Sequence, residues 1–286
     1  FAKTRCLQPG ETQQVTLRLA ADSMASYDDT GKIAKSAYVM EAGEYRFYLG
    51  NSVRNTEKVS FVYKEEADRV VLVLKERVAP RQLAKRMLAD GSFEELPVQA
   101  ECKAERFPGF VEGNPPHKGH WEGDTTANER GADAPEKKIM LMDVVNGDAS
   151  MEEFLAQLTN GQLIDLLCGQ PNTGVANTFG MGNLPEYGVP NLMTADGPAG
   201  VRIRPGLGVC TTAWPCATLL ACTWNPDLVY EIGAAGAREM KENNLGIWLT
   251  PAMNIHRSPL CGRNFEYYSE DPLIAGKMAA AKVNGI

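Results

Sequence analysis

The spacing of apolar residues changes part-way along this 286-residue chain, and the change commits it to two different kinds of packing. Up to about residue 63, apolar and polar residues alternate, as at Val15, Leu17 and Leu19, at Tyr45, Phe47 and Leu49, and from Val59 to Tyr63. A period of two turns one face of a strand towards a core. Pro9-Gly10-Glu11 and Glu41-Ala42-Gly43-Glu44 supply turn chemistry between these runs. The pattern predicts an antiparallel β-sandwich. Three or four strands alone would leave sheet edges unpaired, so further strands are expected upstream of Phe1.

Residues 68 to 90 read as a connector with an apolar run, Val70 to Leu74, and a helix around Arg81 to Ala89 that stops at Asp90-Gly91. Phe107 to Lys138 is rich in Gly, Pro and charge and reads as a surface linker. Order returns at Ser150, an N-cap with Glu153 at capping-box spacing, which opens a helix from Met151 to Leu158. A buried strand over Asn191 to Ala195 ends at Asp196. A helix entered through Asn225 and Pro226 carries Leu228, Ile232 and Met240 at helical spacing and ends near Asn243-Asn244. Gly246 to Leu249 makes a second strand, and Asp271-Pro272 starts a last helix that runs to about Val283. Strand, helix, strand, helix with connections of this length implies parallel strands. A third strand falls due at Ile286, so this half is also expected to continue.

Hydrophobic residues at 44% and charged residues at 23% match a soluble globular protein. A net charge of -7 without any dense Lys/Arg run argues against nucleic acid or an anionic membrane as partner. No segment approaches the roughly 20 apolar residues that span a bilayer, and no signal-peptide core opens the chain. Seven scattered cysteines without a C-x-x-C pair favour free thiols in a reducing compartment, the cytoplasm. His256 has no Cys or second His at ligand spacing, and Gly206-Leu-Gly208 lacks the rest of a dinucleotide fingerprint. Neither a metal nor a cofactor is expected.

Parallel α/β folds put functional loops at the carboxyl ends of strands. Asp196 follows one strand, and the other leads into Asn254 to Pro272, a long connection dense in arginine, carboxylate and aromatic side chains. A connection of this length in a compact domain is usually functional. Asp196, Arg202 and Arg263 would suit a ring of hydroxyls, since a carboxylate accepts two hydrogen bonds while arginines donate in a fixed fork. The local alternative is that Asp196 caps the turn before Gly197-Pro198 and the arginines make structural ion pairs. Trp214, Trp224 and Trp248 fit core packing, and Tyr267 and Tyr268 are better placed to stack on a ligand.

Asp196-Gly-Pro-Ala-Gly-Val-Arg202 and the Gly-Arg-Asn-Phe-Glu run ending at Glu266 together resemble the amino-terminal barrel of glycoside hydrolase family 3, the β-glucosidase family. Thr212-Ala-Trp-Pro-Cys-Ala-Thr218, Thr223-Trp-Asn-Pro-Asp-Leu228 and Leu249-Thr-Pro-Ala-Met-Asn-Ile255 follow in family order. Phe1-Ala-Lys-Thr, Pro9-Gly-Glu, Ala25-Ser-Tyr-Asp28, Gly43-Glu-Tyr45 and Gly50-Asn-Ser-Val-Arg54 resemble the later part of the accompanying fibronectin-III-like domain. The resemblance implies a multidomain chain: a partial fibronectin-III-like β-sandwich over 1–66, a connector and linker over 67–138, and the first part of a (β/α)8 barrel over 139–286. The fibronectin-like part precedes the barrel, which matches the permuted subgroup of the family.

What the resemblance implies for function is a retaining, exo-acting β-glycosidase, most naturally a β-glucosidase acting on terminal non-reducing glucosyl residues of β-glucosides or short β-linked oligosaccharides. Asp196, Arg202 and Arg263 match the family's sugar-binding positions. Glu266 would orient Arg263, because an arginine in a site needs a fixed partner. In the permuted order the nucleophilic aspartate belongs beyond Ile286 and the acid/base glutamate before Phe1. The isolated chain would then be inactive and its partners would be the remaining segments of the enzyme. The alternatives are a β-xylosidase or β-N-acetylglucosaminidase of the same family, or a non-catalytic carbohydrate-binding protein.

Overall fold

The computed structural model describes residues 1–28, 31–74, 84–96 and 137–286. The chain divides into two compact units, one of Thr16–Pro116 and one of Phe1–Val15 with His117–Ile286. It is thus a multidomain chain.

The described part of the Thr16–Pro116 unit is built of β-strands after one short 3-10 turn, Ala21–Met24. Its strands are β1 (Ser26–Asp28), β2 (Ala37–Met40), β3 (Gly43–Ser52), β4 (Asn55–Glu65), β5 (Arg69–Val73), β6 (Lys85–Met87) and β7 (Phe93–Glu95). β1, β2 and β5 form one antiparallel sheet in that order, with Ala37, Val39 and Met40 buried. β3 and β4 pair as a hairpin, as their alternation predicts. Tyr45 meets Tyr63 edge-on across it at 6.0 Å, and Phe47 stacks on Phe61 at 5.9 Å. Such cross-strand pairs are what hold a hairpin together, at roughly 0.2–1 kcal/mol each.

Two expectations fail here. The alternation at Val15, Leu17 and Leu19 joins no ladder among the described residues, and these side chains stay exposed. Alternation without a partner strand does not make a sheet. The helix expected around Arg81 to Ala89 is, in its described part, β6 of a hairpin. Asp90-Gly91 is a strong hairpin turn as well as a helix stop. The hairpin gains the Leu88 N–H donating to the Ser92 carbonyl at 2.8 Å, and Arg86 bonded to Glu94 opposite it at 2.8 Å. Most of the expected linker, 107 to 136, lies outside the described residues.

Asp28 closes β1 and organises the turn that follows. Although burial opposes its charge, its carboxylate accepts the N–H groups of Gly31, Lys32, Ile33 and Ala34 at 2.7–3.0 Å and is drawn down to about 2.

The other unit begins with α1 (Leu141–Asn146), α2 (Met151–Ala156) and α3 (Asn160–Leu167). The Ser150–Glu153 capping box forms as expected, with Glu153 N–H on the Ser150 hydroxyl at 3.1 Å and Ser150 N–H on the Glu153 carboxylate at 2.8 Å. Order returns earlier than expected, with α1, at whose start the Asp143 carboxylate accepts the Met140 N–H. β8 (Met181–Leu184) and β9 (Val189–Leu192) form an antiparallel hairpin. The strand expected over 191–195 therefore splits. Asn191 and Leu192 belong to β9, whereas β10 (Thr194–Ala195) pairs in parallel with β11 (Ile247–Trp248).

Between β10 and β11 run α4 (Ala217–Cys222) and α5 (Pro226–Glu242), and α6 (Pro272–Gly285) closes the chain. The expected caps are present, with Asn225 accepting from Leu228 N–H at 3.3 Å and Asp271 from Leu273 N–H at 2.8 Å. α5 and α6 approach closely because small residues meet. A β-carbon at Gly233 would lie 2.4 Å from the Lys282 carbonyl oxygen, and one at Gly236 would lie 2.2 Å from the Trp248 ring. Val229, Ile232, Tyr268, Met278 and Ala279 fill the core between these helices and α4. Among the described residues no helix is long and apolar enough to cross a membrane.

Asp28→Asn is expected to destabilise the chain by about 1–2 kcal/mol at neutral pH, less than the full shift implies because the turn is partly exposed. The native pKa lies below the ordinary 3.8, so this stability is present above 3.8 and is lost as pH falls through about 2. Chemical unfolding followed by circular dichroism should show the parent–variant gap closing over that window. An unchanged gap would mean the turn does not depend on the charge.

Candidate functional site

Because β10 and β11 are parallel, their carboxyl ends open on one side. Asp196 follows β10 directly, and Leu249 begins the long loop after β11. The Asp196 N–H donates to the side-chain oxygen of Asn177 at 3.0 Å, and its carbonyl accepts the Arg202 N–H at 2.9 Å, so residues 196–202 form a closed loop. Its carboxylate Oδ2 accepts a bond from Arg202 Nη1 at 2.7 Å. Oδ1 accepts none from the described residues, and the side chain is partly open to solvent.

This loop cannot hold its shape by local preference alone. Gly197 sits at φ +117, and a β-carbon there would lie 1.9 Å from the Gly200 carbonyl oxygen. Bracing comes from elsewhere. Trp248 Nε1 donates to the Gly197 carbonyl at 2.9 Å, Lys282 Nζ to that of Pro198 at 2.7 Å, and the Trp214 N–H to that of Ala199 at 2.8 Å.

Lys282 was not singled out from the sequence. The signal was there, because Ala275, Met278, Ala279 and Lys282 fall at i, i+3, i+4 and i+7 on one helical stripe, and all four are buried. Its amine lies 4.6 Å over the Trp248 ring, and burial pushes it down from 10.5 to about 8. That shift corresponds to roughly 3 kcal/mol of cost in burying the ammonium. The cost is present below about 8 and fades as pH rises towards 10.5.

The loop after β11 is organised by His256. One ring nitrogen faces the carbonyls of Asn264 at 2.9 Å and Tyr267 at 3.1 Å, so it carries the proton, while the His256 N–H donates to the Ser269 carbonyl. Asn264 donates to the Ser258 carbonyl at 2.7 Å. Arg263 projects into solvent with a side chain 70% exposed, and its Nε bonds the carboxylate of buried Glu266. Glu266 holds Arg263 firmly cationic, by hydrogen bond and then by charge, and the Asp196 carboxylate adds to the effect. The structure thus brings Asp196 to Arg202 and Arg263 to Glu266, with the Asp196 carboxylate close enough for its charge to act on Arg263.

Tyr267 and Tyr268 do not offer exposed faces. Both are buried, Tyr268 in the helical core, where burial pushes its hydroxyl up to about 12. Trp248 packs beneath the loop, in keeping with the expectation of a core role. Among the described residues no group of three or more His, Cys, Asp or Glu stands close enough to hold a metal.

A carboxylate and exposed guanidinium groups on loops at one end of a parallel strand pair is the layout of α/β proteins that take small polar ligands. Residues 137–286 match the glycosyl hydrolase family 3 N-terminal domain, and residues 1–53 match a fibronectin type III-like domain. β-Glucosidase A of Butyrivibrio fibrisolvens is 52% identical over 303 aligned residues, covering 100% of this chain and 35% of that protein. A β-glucosidase of Ruminococcus albus is 37% identical over 298, covering 100% and 30%. The crystal structure of a β-glucosidase from Paenibacillus barengoltzii superposes with a TM-score of 0.68 at 39% identity, over 92% of this chain and 29% of that one. The chain belongs to glycosyl hydrolase family 3. It spans about a third of the length of the curated relatives it matches.

Gly197→Ala is expected to cost more than Gly206→Ala. Gly206 also has positive φ, +85, but open space around it, so alanine there meets only the backbone penalty of about 1–2 kcal/mol. At Gly197 the collision with the Gly200 carbonyl is added. Thermal unfolding of the two variants side by side measures the difference, and equal losses would show that the loop relaxes.

Proposed function

We propose that the chain is the sugar-gripping part of a retaining, exo-acting β-glucosidase that removes terminal non-reducing β-D-glucosyl residues. One observation carries the reading: Asp196, Arg202 and Arg263 stand on loops at the carboxyl ends of parallel strands, inside the segment that matches the family 3 domain. Similarity along the whole of this chain to proteins named β-glucosidase supports the choice of glucose.

The geometry suits a neutral sugar. Asp196 Oδ1 and its second lone pairs accept from vicinal hydroxyls, while the bond from Arg202 to Oδ2 keeps the carboxylate aimed. Among the described residues Arg263 is tied only through Nε, so both terminal nitrogens remain to donate to the ring. Glu266 fixes the plane of that fork. The nucleophilic aspartate and the acid/base glutamate come from segments outside these 286 residues, so the chain by itself does not turn over substrate. In this reading residues 139–286 begin a (β/α)8 barrel, residues 1–66 belong to a fibronectin-III-like sandwich, and residues 67–138 connect them. The six described cysteines are free and exposed, which suits a reducing compartment such as the cytoplasm.

In the full-length protein, Asp196→Ala and Arg263→Ala are each expected to lower kcat/KM on an aryl β-glucoside by about 10²- to 10³-fold, the usual loss for one charged bond that tightens in the transition state. A loss under about tenfold would remove the residue from the sugar site. Initial rates on matched aryl β-glucoside, β-xyloside and N-acetyl-β-glucosaminide should rank the glucoside first. A different order would redirect the specificity within the family.

A further inference from the structure

We propose that Lys282 is a positioning residue for the sugar site, acting through the Pro198 carbonyl to hold the 196–202 loop, and with it Asp196, in the orientation that meets the ligand. The inference rests on the reading of Asp196 as a sugar ligand.

Lys282 is 1% exposed and reaches from α6 across to a loop that lies 84 residues earlier in the chain. Its amine has one hydrogen-bond acceptor among the described residues, the Pro198 carbonyl at 2.7 Å, and rests over Trp248. Among the described residues no carboxylate pairs with it. Asp196 is engaged by Arg202, and Glu239 of α5 accepts from Thr212 N–H at 3.0 Å and from the Thr212 hydroxyl at 2.6 Å. An unpaired buried ammonium is an expensive way to fill space that methionine would fill without desolvation. What it supplies that methionine lacks is a strong, directed donor.

The place of that donor decides the role. Trp248 Nε1 holds the carbonyl of Gly197 and Lys282 holds the next one, so two adjacent peptide groups are fixed from beneath by side chains of β11 and α6. Asp196 immediately precedes them, and a glycine at φ +117 joins it to Pro198. A hinge with so little intrinsic preference passes any slack directly to the carboxylate. Lys282 touches the loop backbone and not the Asp196 side chain, so its effect on a ligand is indirect.

The test is a double-mutant cycle in the full-length protein, with kcat and KM on an aryl β-glucoside and the thermal midpoint recorded for each variant. Lys282→Met should lower kcat/KM about tenfold with little change in the midpoint, and Lys282→Arg should recover most of the loss. In an Asp196→Ala background the same Lys282→Met change should matter less than about threefold, because the carboxylate it positions is gone. Two results overturn the proposal: a Lys282→Met enzyme within about threefold of the parent, or a tenfold loss that persists undiminished without Asp196. Asp196→Ala alone separates the layers. If it barely affects rate, the sugar-site reading fails first; if it is severe while Lys282→Met is silent, only the positioning role fails. Should Lys282→Met not fold, Trp248→Phe removes the neighbouring donor, and its loss must likewise shrink in the Asp196→Ala background or the braced-loop account is wrong.

Discussion

Four consecutive carbonyl oxygens, those of Asp196, Gly197, Pro198 and Ala199, each accept a hydrogen bond from a different donor: the Arg202 N–H, the Trp248 indole, the Lys282 amine and the Trp214 N–H. Four acceptors satisfied in sequence by separate donors define one loop conformation and penalise its neighbours, since a carbonyl that loses its partner on burial costs on the order of 1–3 kcal/mol. Everything proposed for the site depends on that conformation, because the loop carries both Asp196 and Arg202.

The bracing in turn requires the helices to be where they are. α6 brings Lys282 under the loop because glycine on α5 lets the two helices touch, and the same device at Gly236 admits the Trp248 ring. Packing and polar chemistry are thus the same arrangement seen at two levels. The Trp248 ring is hydrophobic filling towards Met240 and Val201, a resting place for an ammonium above, and a hydrogen-bond donor at its edge. The Glu266 carboxylate has a similar double position, buried in the protein yet steering an exposed arginine.

Much of this was legible in the residues, and what was legible was local. Ser150 with Glu153, Asn225 with Pro226 and Asp271 with Pro272 start helices as expected, because orphan N–H groups at a helix start are satisfied within three residues. The order of elements was enough to infer that β10 and β11 are parallel. The misreadings share a cause. Asp90-Gly91 suits a helix stop and a hairpin equally, and only Glu94 and Glu95 across the ladder decide between them. Val15, Leu17 and Leu19 alternate well enough for a strand but find no partner strand among the described residues. At the site, resemblance to the family's motifs singled out Asp196, Arg202 and Arg263, and the need of an arginine for a fixed partner added Glu266. The supports at Asn177 and Trp214 come from contacts between distant segments that no local pattern encodes, and the helical stripe that marks Lys282 as buried does not name its partner.

The first residues of the chain carry one more consequence. Phe1 packs edge-on against Trp224 at 5.6 Å, and Lys3 donates to the Thr223 carbonyl at 2.7 Å, just after α4. Family resemblance assigns residues 1–53 to a fibronectin-type module, yet Phe1–Val15 lie in the same compact unit as the family 3 segment. The two divisions of the chain do not coincide. A scissor placed at residue 137 by homology would therefore strip an aromatic plate and a carbonyl of their cover. The fragment so released would bare more of the Trp224 ring beside α4 than the uncut chain does.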